Sequence, residues 1–312
     1  MTNQENLLLS VSSAPHLRGK ETTRGLMRDV IIALVPTTLA GTYFFGLRSL
    51  LVVAVGIIAA VLGEALCQKI MGKKIAIKDL SAVVTGLLVA LNCPVTMPLW
   101  QVAFGSVFAV VIVKEFFGGI GSNFMNPALG ARAVMMISFG KDITNFTKPL
   151  SDMVSTATPL SQNPKVAPEA LDMFLGNMPG VIGEVSKLAL LIGAAYLVIR
   201  KVISLEIPLV YIGSTLLTVF AFSKGEADLV YHLLTGGLIM GAFFMATDYA
   251  TAPITKKGKI IFAVGCGFLT GVIRLFGGNP EGVCYSIIIM NMFVPLIDKF
   301  TKRRVYGTGG RA

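Results

Sequence analysis

The 312 residues are 54% hydrophobic and only 14% charged, with a mean hydropathy of +0.74. A soluble domain carries about 25% charged residues, so this composition excludes an ordinary water-soluble fold and points to a polytopic membrane protein. The net charge of +10 does not mark a nucleic-acid binder, because the charges cluster at the ends of apolar segments, where they set topology.

Residues 1–28 form a polar arm with Arg18, Lys20, Arg24 and Arg28. No apolar stretch precedes a cleavage site there, so no cleavable signal peptide is expected. Apolar segments follow at 30–47, 50–68, 80–97, 99–113 and 125–139. After a long polar segment come 185–199, 205–222, 229–247, 260–275 and 282–297. The expected fold is all-α, with about ten transmembrane helices. Several are short for a full crossing of ~20 residues, which suggests broken helices lining an internal site.

Orientation follows from Lys and Arg. Basic groups stand at Lys69, Lys73, Lys74 and Lys78, at Arg200 and Lys201, at Lys256, Lys257 and Lys259, and at Lys299, Lys302, Arg303 and Arg304. With all of these in the cytoplasm the spans alternate without conflict. Both termini are then inside, and the loop 140–184 is outside. The organisation reads as a cytoplasmic arm (1–28), a first transmembrane repeat (29–139), the extracytoplasmic loop (140–184), a second repeat (185–298) and a basic cytoplasmic tail (299–312).

The halves echo each other. Asp79-Leu80 with Gly86 answers Asp228-Leu229 with Gly236. Phe117-Gly118-Gly119 precedes Asn126-Pro127, and Phe276-Gly277-Gly278 runs into Asn279-Pro280. About five helices per half is an odd number, so the second copy enters from the opposite face, as in an inverted-topology repeat with its site near the midplane. Chance recurrence in apolar text is the competing explanation.

Charged residues inside or beside apolar spans are costly unless paired or wetted. Glu64, Arg132, Asp248 and Arg274 are the cases here. Glu64 and Asp248 fit either an ion path or a salt bridge between helices. Lys114, Glu115 and Asp298 sit at span ends, where snorkelling accounts for them. Arg274 falls at the outer end of its helix, and its guanidinium suits a phosphate or a flavin carbonyl. The spacings Gly237–Gly241 and Gly267–Gly271 read as close helix packing. Tyr43, Trp100 and Tyr231 read as interfacial belt residues. Cys67, Cys93, Cys266 and Cys284 show no metal spacing and are expected as buried thiols. Two histidines are too few for a histidine-based metal site, and no nucleotide-binding loop or catalytic triad is present.

The polar loop contains Ser155-Thr156-Ala157-Thr158. Ser-Thr clusters usually hydrogen-bond their own backbone. This one resembles the S-[GST]-A-T signature of proteins that carry flavin mononucleotide on the last threonine, with Thr156 in place of the commoner glycine. The chemistry needs a hydroxyl nucleophile, little bulk before it, and a strand-like loop that enters a flavin transferase.

Further stretches share the resemblance: Asn126 to Ala133, Gly241 to Asp248 with Ala252-Pro253 and Thr255, Asn279 to Gly282, Asn291, and Pro295 to Asp298. Together they resemble the D subunits of Rnf complexes, the ion-translocating ferredoxin:NAD oxidoreductases of bacterial and some archaeal membranes. The chain is also similar to the B subunits of sodium-pumping NADH:quinone oxidoreductases, but lacks their longer N-terminal extension. The resemblance implies a urea-channel-like bundle, covalent FMN phosphoester-linked to Thr158, and a second, non-covalent riboflavin toward the inner face. It implies a translocase component with no complete active site of its own. Its partners would be an FMN-bearing extracytoplasmic subunit, iron–sulfur membrane subunits and a cytoplasmic NAD-reducing subunit.

Candidate cofactor residues are therefore Thr158, Ser155, Asp152, Arg274 and Asn279 on the outer side, and Gly118, Gly119, Asn126 and Arg132 on the inner side. The function expected is electron relay in a redox-driven Na⁺ or H⁺ pump. The alternative is a channel or transporter for a small polar solute on the same fold, which needs no flavinylation motif.

Overall fold

The computed structural model describes residues 22–147, 149, 155–156, 169–224, 227–277 and 282–302. Several of its helices begin where a side chain satisfies the free amides of a first turn. The Thr22 hydroxyl accepts from Gly25 N at 3.1 Å to open α1 (Thr23–Phe45). Gly46, at φ +76°, turns the chain into α2 (Leu47–Ile70), and that left-handed conformation favours glycine. A single 3₁₀ turn, Ile77–Asp79, leads into α3 (Ser81–Leu91). Then α4 (Leu99–Phe108) widens without interruption into a π-helical stretch, Ala109–Glu115. Asn126 caps α5 (Pro127–Ser138), with Pro127 at the first position.

The outer loop holds α6 (Gly140–Ile143), the antiparallel pair β1 (Phe146–Thr147) and β2 (Ser155–Thr156), and α7 (Ala170–Leu175). The second half contains α8 (Lys187–Ile199), α9 (Glu206–Phe222), α10 (Leu229–Leu234) and α11 (Leu238–Met240). The last of these also continues as a π-helical stretch, Gly241–Met245. Thr255 caps α12 (Lys256–Phe276), and α13 (Gly282–Thr301) closes the described chain.

By length and composition, α1, α2, α12 and α13 are long and apolar enough to cross a membrane, and α3, α5, α8 and α9 are shorter apolar helices. The core is apolar, but the outside is apolar as well and several charges are buried. Leu62, Leu66 and Leu217 face outward, while Glu64, Lys114, Arg132 and Lys187 are buried. A lipid surround favours that arrangement, because it offers apolar side chains no penalty and charges no partner. The protein is membrane-embedded.

Glycine sets how closely the helices approach. A Cβ on Gly86 would lie 2.5 Å from the Gly56 carbonyl oxygen and 2.8 Å from Ala60 Cβ, so α3 seats directly on α2. A Cβ on Gly267 would collide with Ser214 and one on Gly271 would lie 2.8 Å from Thr218 Cβ, which brings α12 onto α9 as the spacing suggested. Gly237 behaves differently: its small size makes room for the Glu184 carboxylate, not for a helix.

Two expected spans are interrupted. Helix α3 stops at Leu91, and the chain to Met97 is irregular. The segment 229–247 breaks at Thr235–Gly237, between α10 and α11. Two side-chain readings are corrected. Tyr231 is buried beneath α7, not a belt residue, whereas Tyr43 and Trp100 are exposed. Lys114 and Glu115 do not snorkel; both are buried among α2, α3 and the first π-helical stretch.

The motif pair singled out in the two halves has a structural counterpart. Asp79 Oδ1 accepts from the amide two residues on, Ser81 N at 2.9 Å, and Asp228 Oδ1 accepts from Val230 N at 2.9 Å. Each aspartate thus accepts from the amide two residues on, although Asp228 caps α10 directly while Asp79 ends the 3₁₀ turn and Leu80 stands between it and α3. Helix α1 packs on α8 and α5 on α13.

Candidate functional site

The buried charges meet in one network. Lys114 donates to both oxygens of Glu64 at 3.0 Å and to the Ser81 hydroxyl. Gln68 donates to Glu64 at 2.9 Å and to Glu115 at 3.1 Å, while its carbonyl accepts from Ala76 N at 2.8 Å. Lys73 approaches Glu115 at 3.6 Å. A π-helix aims side chains along directions an α-helix does not, and the stretch 109–115 places Lys114 and Glu115 together against α2. Every member of the network has a partner, the condition under which buried charge is tolerated.

Lys114 and Ser81 also line a cavity of about 300 Å³. Its apolar wall comes from Leu26, Met27, Val84, Leu88, Phe243 and Phe244. Its polar groups are Thr85, Asn123, Asn126, Thr247 and Asp248. Asn126 is held on two sides: its carbonyl oxygen caps α5 at Ala128 N (3.0 Å) and Leu129 N (3.3 Å), and its amide donates to Met245 O at 3.2 Å. Asp248, just beyond the 229–247 segment, accepts from Ala250 N at 3.4 Å and from the Thr251 hydroxyl at 3.1 Å. Desolvation nevertheless pushes its carboxyl above the ordinary carboxylate range.

A second, much smaller cavity lies between the halves, lined by Asn92, Arg132, Glu184, Gly236, Gly237 and Arg274 among others. Arg132 donates to the Asn92 carbonyl (2.6 Å) and to its side-chain oxygen (2.7 Å). Arg274 donates to the carbonyls of His232 and Thr235, bracing the α10–α11 break. Beside it, Lys187 is fully buried and donates to the carbonyls of Glu184 and Gly236.

The candidate residues therefore separate. Asn126 lines the large cavity. Gly118 and Gly119 form the turn after the π-helical stretch, at φ +116° and +94°, and their neighbours Ile120 and Gly121 reach the cavity wall. Arg132 faces the small cavity, together with Arg274 from the other half. Ser155 lies in β2, so the start of the Ser-Thr tract has an extended, paired backbone. Asp152, Thr158 and Asn279 lie outside the described residues. Sequence reasoning does not find the aromatic wall of Phe243 and Phe244, because apolar residues inside a span carry no signal distinguishing a cavity from a core.

The fold and site define a class: a polytopic membrane protein with a network of buried charges beside a cavity of about 300 Å³. A family model for the NQR2, RnfD, RnfE family matches residues 10–307. The chain belongs to that family. It is 49% identical over 308 residues to the D subunit of the Na(+)-translocating ferredoxin:NAD(+) oxidoreductase complex of Acetobacterium woodii, covering 96% of each chain. It is 43% identical to the D subunit of the proton-translocating ferredoxin:NAD(+) oxidoreductase complex of Clostridium ljungdahlii, covering 96% of this chain and 97% of that one. The D subunit of the ion-translocating oxidoreductase complex of Halorhodospira halophila is 33% identical over 95% of this chain and 94% of its own.

Proposed function

We propose that this chain is the D subunit of an ion-translocating ferredoxin:NAD⁺ oxidoreductase, carrying electrons across the membrane through two flavins. The observation that carries this reading is the match along 96% of the chain to subunits of that name. The named relatives differ in their ion, Na⁺ in one and H⁺ in the other, so the reading leaves the coupling ion open.

The first flavin, FMN, is phosphoester-linked to Thr158 by a flavin transferase on the extracytoplasmic face. The extended, paired backbone at Ser155–Thr156 supports it, since a transferase needs a strand-like segment. The second, riboflavin, occupies the 300 Å³ cavity. That volume stands at the lower end of the ~300–1,000 Å³ typical of small-molecule sites, which pair apolar walls with a few placed polar groups. When bound, the flavin supplies one- and two-electron redox chemistry. Here Phe243 and Phe244 offer flat apolar faces, Asn126 and Asn123 offer amides to a polar ring edge, and Lys114 is held in place by Glu64.

The transmembrane helices, about ten in all, form two inverted repeats with both termini in the cytoplasm. The matched hydrogen bonds of Asp79 and Asp228, and the α1–α8 and α5–α13 contacts, support a pseudo-twofold arrangement, because a twofold pairs each such helix with its own counterpart. Electrons then pass from an extracytoplasmic FMN-bearing subunit, fed through iron–sulfur membrane subunits, to a cytoplasmic NAD-reducing subunit. Two flavins suit that path, because a hydrocarbon core of ~30 Å is too wide for one.

Acid extraction of the purified complex tests the inner site. Val84→Phe fills the cavity and Asn126→Leu removes an amide; each is expected to lower extractable flavin and NAD⁺ reduction together, while covalent flavin stays. Unchanged extractable flavin in both variants would contradict the placement.

A further inference from the structure

Ser81 sits where the buried charged network meets both the 300 Å³ cavity and the protein surface. Its hydroxyl accepts from the Lys114 ammonium and donates to Asp79 Oδ1 at 2.8 Å. Lys114 and Ser81 are 3% and 5% exposed and both line the cavity, whereas Asp79 stands partly exposed on the 3₁₀ turn before α3. An unbroken file of groups that bind and release protons thus runs from the surface to the cavity wall. The other branch of the network is closed to protons. Between Glu64 and Glu115 stands the Gln68 amide, which donates to them at 2.9 and 3.1 Å, and a side-chain amide does not titrate.

We propose that Asp79, Ser81 and Lys114 form a proton relay from the cytoplasmic surface to the cavity, with Lys114 as the donor at its inner end. The relay rests on the flavin placed in this cavity under the proposed function. Reduction of a flavin by two electrons, delivered one at a time by a reduced one-electron carrier of the complex, adds one proton at a ring nitrogen. Lys114 supplies it: its own N–H bond breaks as the ring N–H bond forms. The neutral amine then takes the Ser81 hydroxyl proton, Ser81 takes one from the Asp79 carboxyl, and Asp79 draws one from the aqueous phase. Glu64, with both oxygens 3.0 Å from the ammonium, holds Lys114 in line with Ser81. On reoxidation the proton returns the same way. No net charge crosses the membrane by this route, so the relay is compatible with either coupling ion. Buried ionisable side chains in membrane proteins commonly mark such proton paths, and a donor must stand within hydrogen-bond reach of the group it serves.

The test follows flavin reduction in the purified complex by stopped-flow absorbance, with NADH as reductant, in H₂O and in D₂O. The absorbance phase missing from Val84→Phe, whose cavity is filled, belongs to the cavity flavin. Asp79→Asn keeps an oxygen to accept from Ser81 N but cannot carry a proton. Ser81→Ala breaks the file and leaves the Lys114–Glu64 pair in place. In both variants extractable flavin is expected to stay at the wild-type level. The cavity phase is expected to slow by at least about tenfold, and to lose more rate in D₂O than wild type does. Sodium formate, a small weak-acid buffer, is expected to restore the rate of Asp79→Asn, whose gap lies at the surface, and not that of Ser81→Ala. A purely structural role gives neither the isotope effect nor the rescue. A wild-type rate in either variant overturns the relay. So does an Asp79→Asn phase that formate leaves slow, or loss of extractable flavin from Asp79→Asn, which would make the aspartate structural. If Val84→Phe loses no phase, the flavin placement itself fails, and the relay with it.

Discussion

At the scale of single residues, the charged network decides which substitutions matter. Lys114 and Glu64 are 3% and 1% exposed and joined at 3.0 Å. Removing one partner of such a pair typically costs about 3–5 kcal/mol, because the other charge stays buried alone, whereas replacing both by apolar groups is often neutral. Lys114→Met is therefore expected to destabilise the protein by that amount, and Glu64→Leu combined with Lys114→Met to recover most of it. A double-mutant cycle on thermal unfolding measures this; additive losses would show that the pair is not coupled. The pair was not legible in the sequence. The two residues stand 50 positions apart, and Lys114 at a span end suggested snorkelling. Only the π-helical register turns it inward.

Among the elements, the long helices were the readable part. Unbroken apolar runs over α1, α2, α12 and α13 leave a helix as the one structure that satisfies its own backbone in lipid. That some spans break was expected from their shortness; which residues make the break was not readable. Thr235-Gly236-Gly237 sits inside a continuous hydrophobic stretch, and apolar patterning does not distinguish a straight helix from one that breaks where glycine permits. Helix approach is also encoded by glycine, and it yields a prediction. Gly86→Ala places a methyl against the Gly56 carbonyl and Ala60, and overpacking of this kind costs about 1–3 kcal/mol. Gly213→Ala, where an added Cβ meets nothing within 4 Å, is expected to gain up to ~1 kcal/mol from helix propensity. Melting temperatures of the two variants should move in opposite directions; matching shifts would mean that α2–α3 contact does not depend on that glycine.

For the whole molecule, the proposed topology follows from the charge distribution. It sets the lysines of 69–78 inside and the loop 140–184 outside, and the four native cysteines are buried. Cysteine introduced at Asn177 is expected to react with an impermeant maleimide in intact cells, and cysteine at Lys74 only after permeabilisation. The reverse pattern would invert the topology and move the flavinylation motif to the wrong face. The candidate cofactor residues were easier to read than their surroundings: the Ser-Thr tract and Asn126 were visible as motifs. Arg132 and Arg274, which symmetry assigned to opposite pockets, converge on one small cavity, to which α5 and α12 each contribute.

Covalent flavin at the Thr158 hydroxyl is measured directly by flavin fluorescence of the denatured polypeptide on a gel. Wild type is expected to fluoresce under ultraviolet light after denaturation, and Thr158→Val, which keeps the shape and removes the nucleophile, to be dark while the polypeptide is still made. A Thr158→Val band as bright as wild type would contradict the assignment of Thr158, and a dark wild-type band would contradict covalent electron-carrier chemistry in this chain.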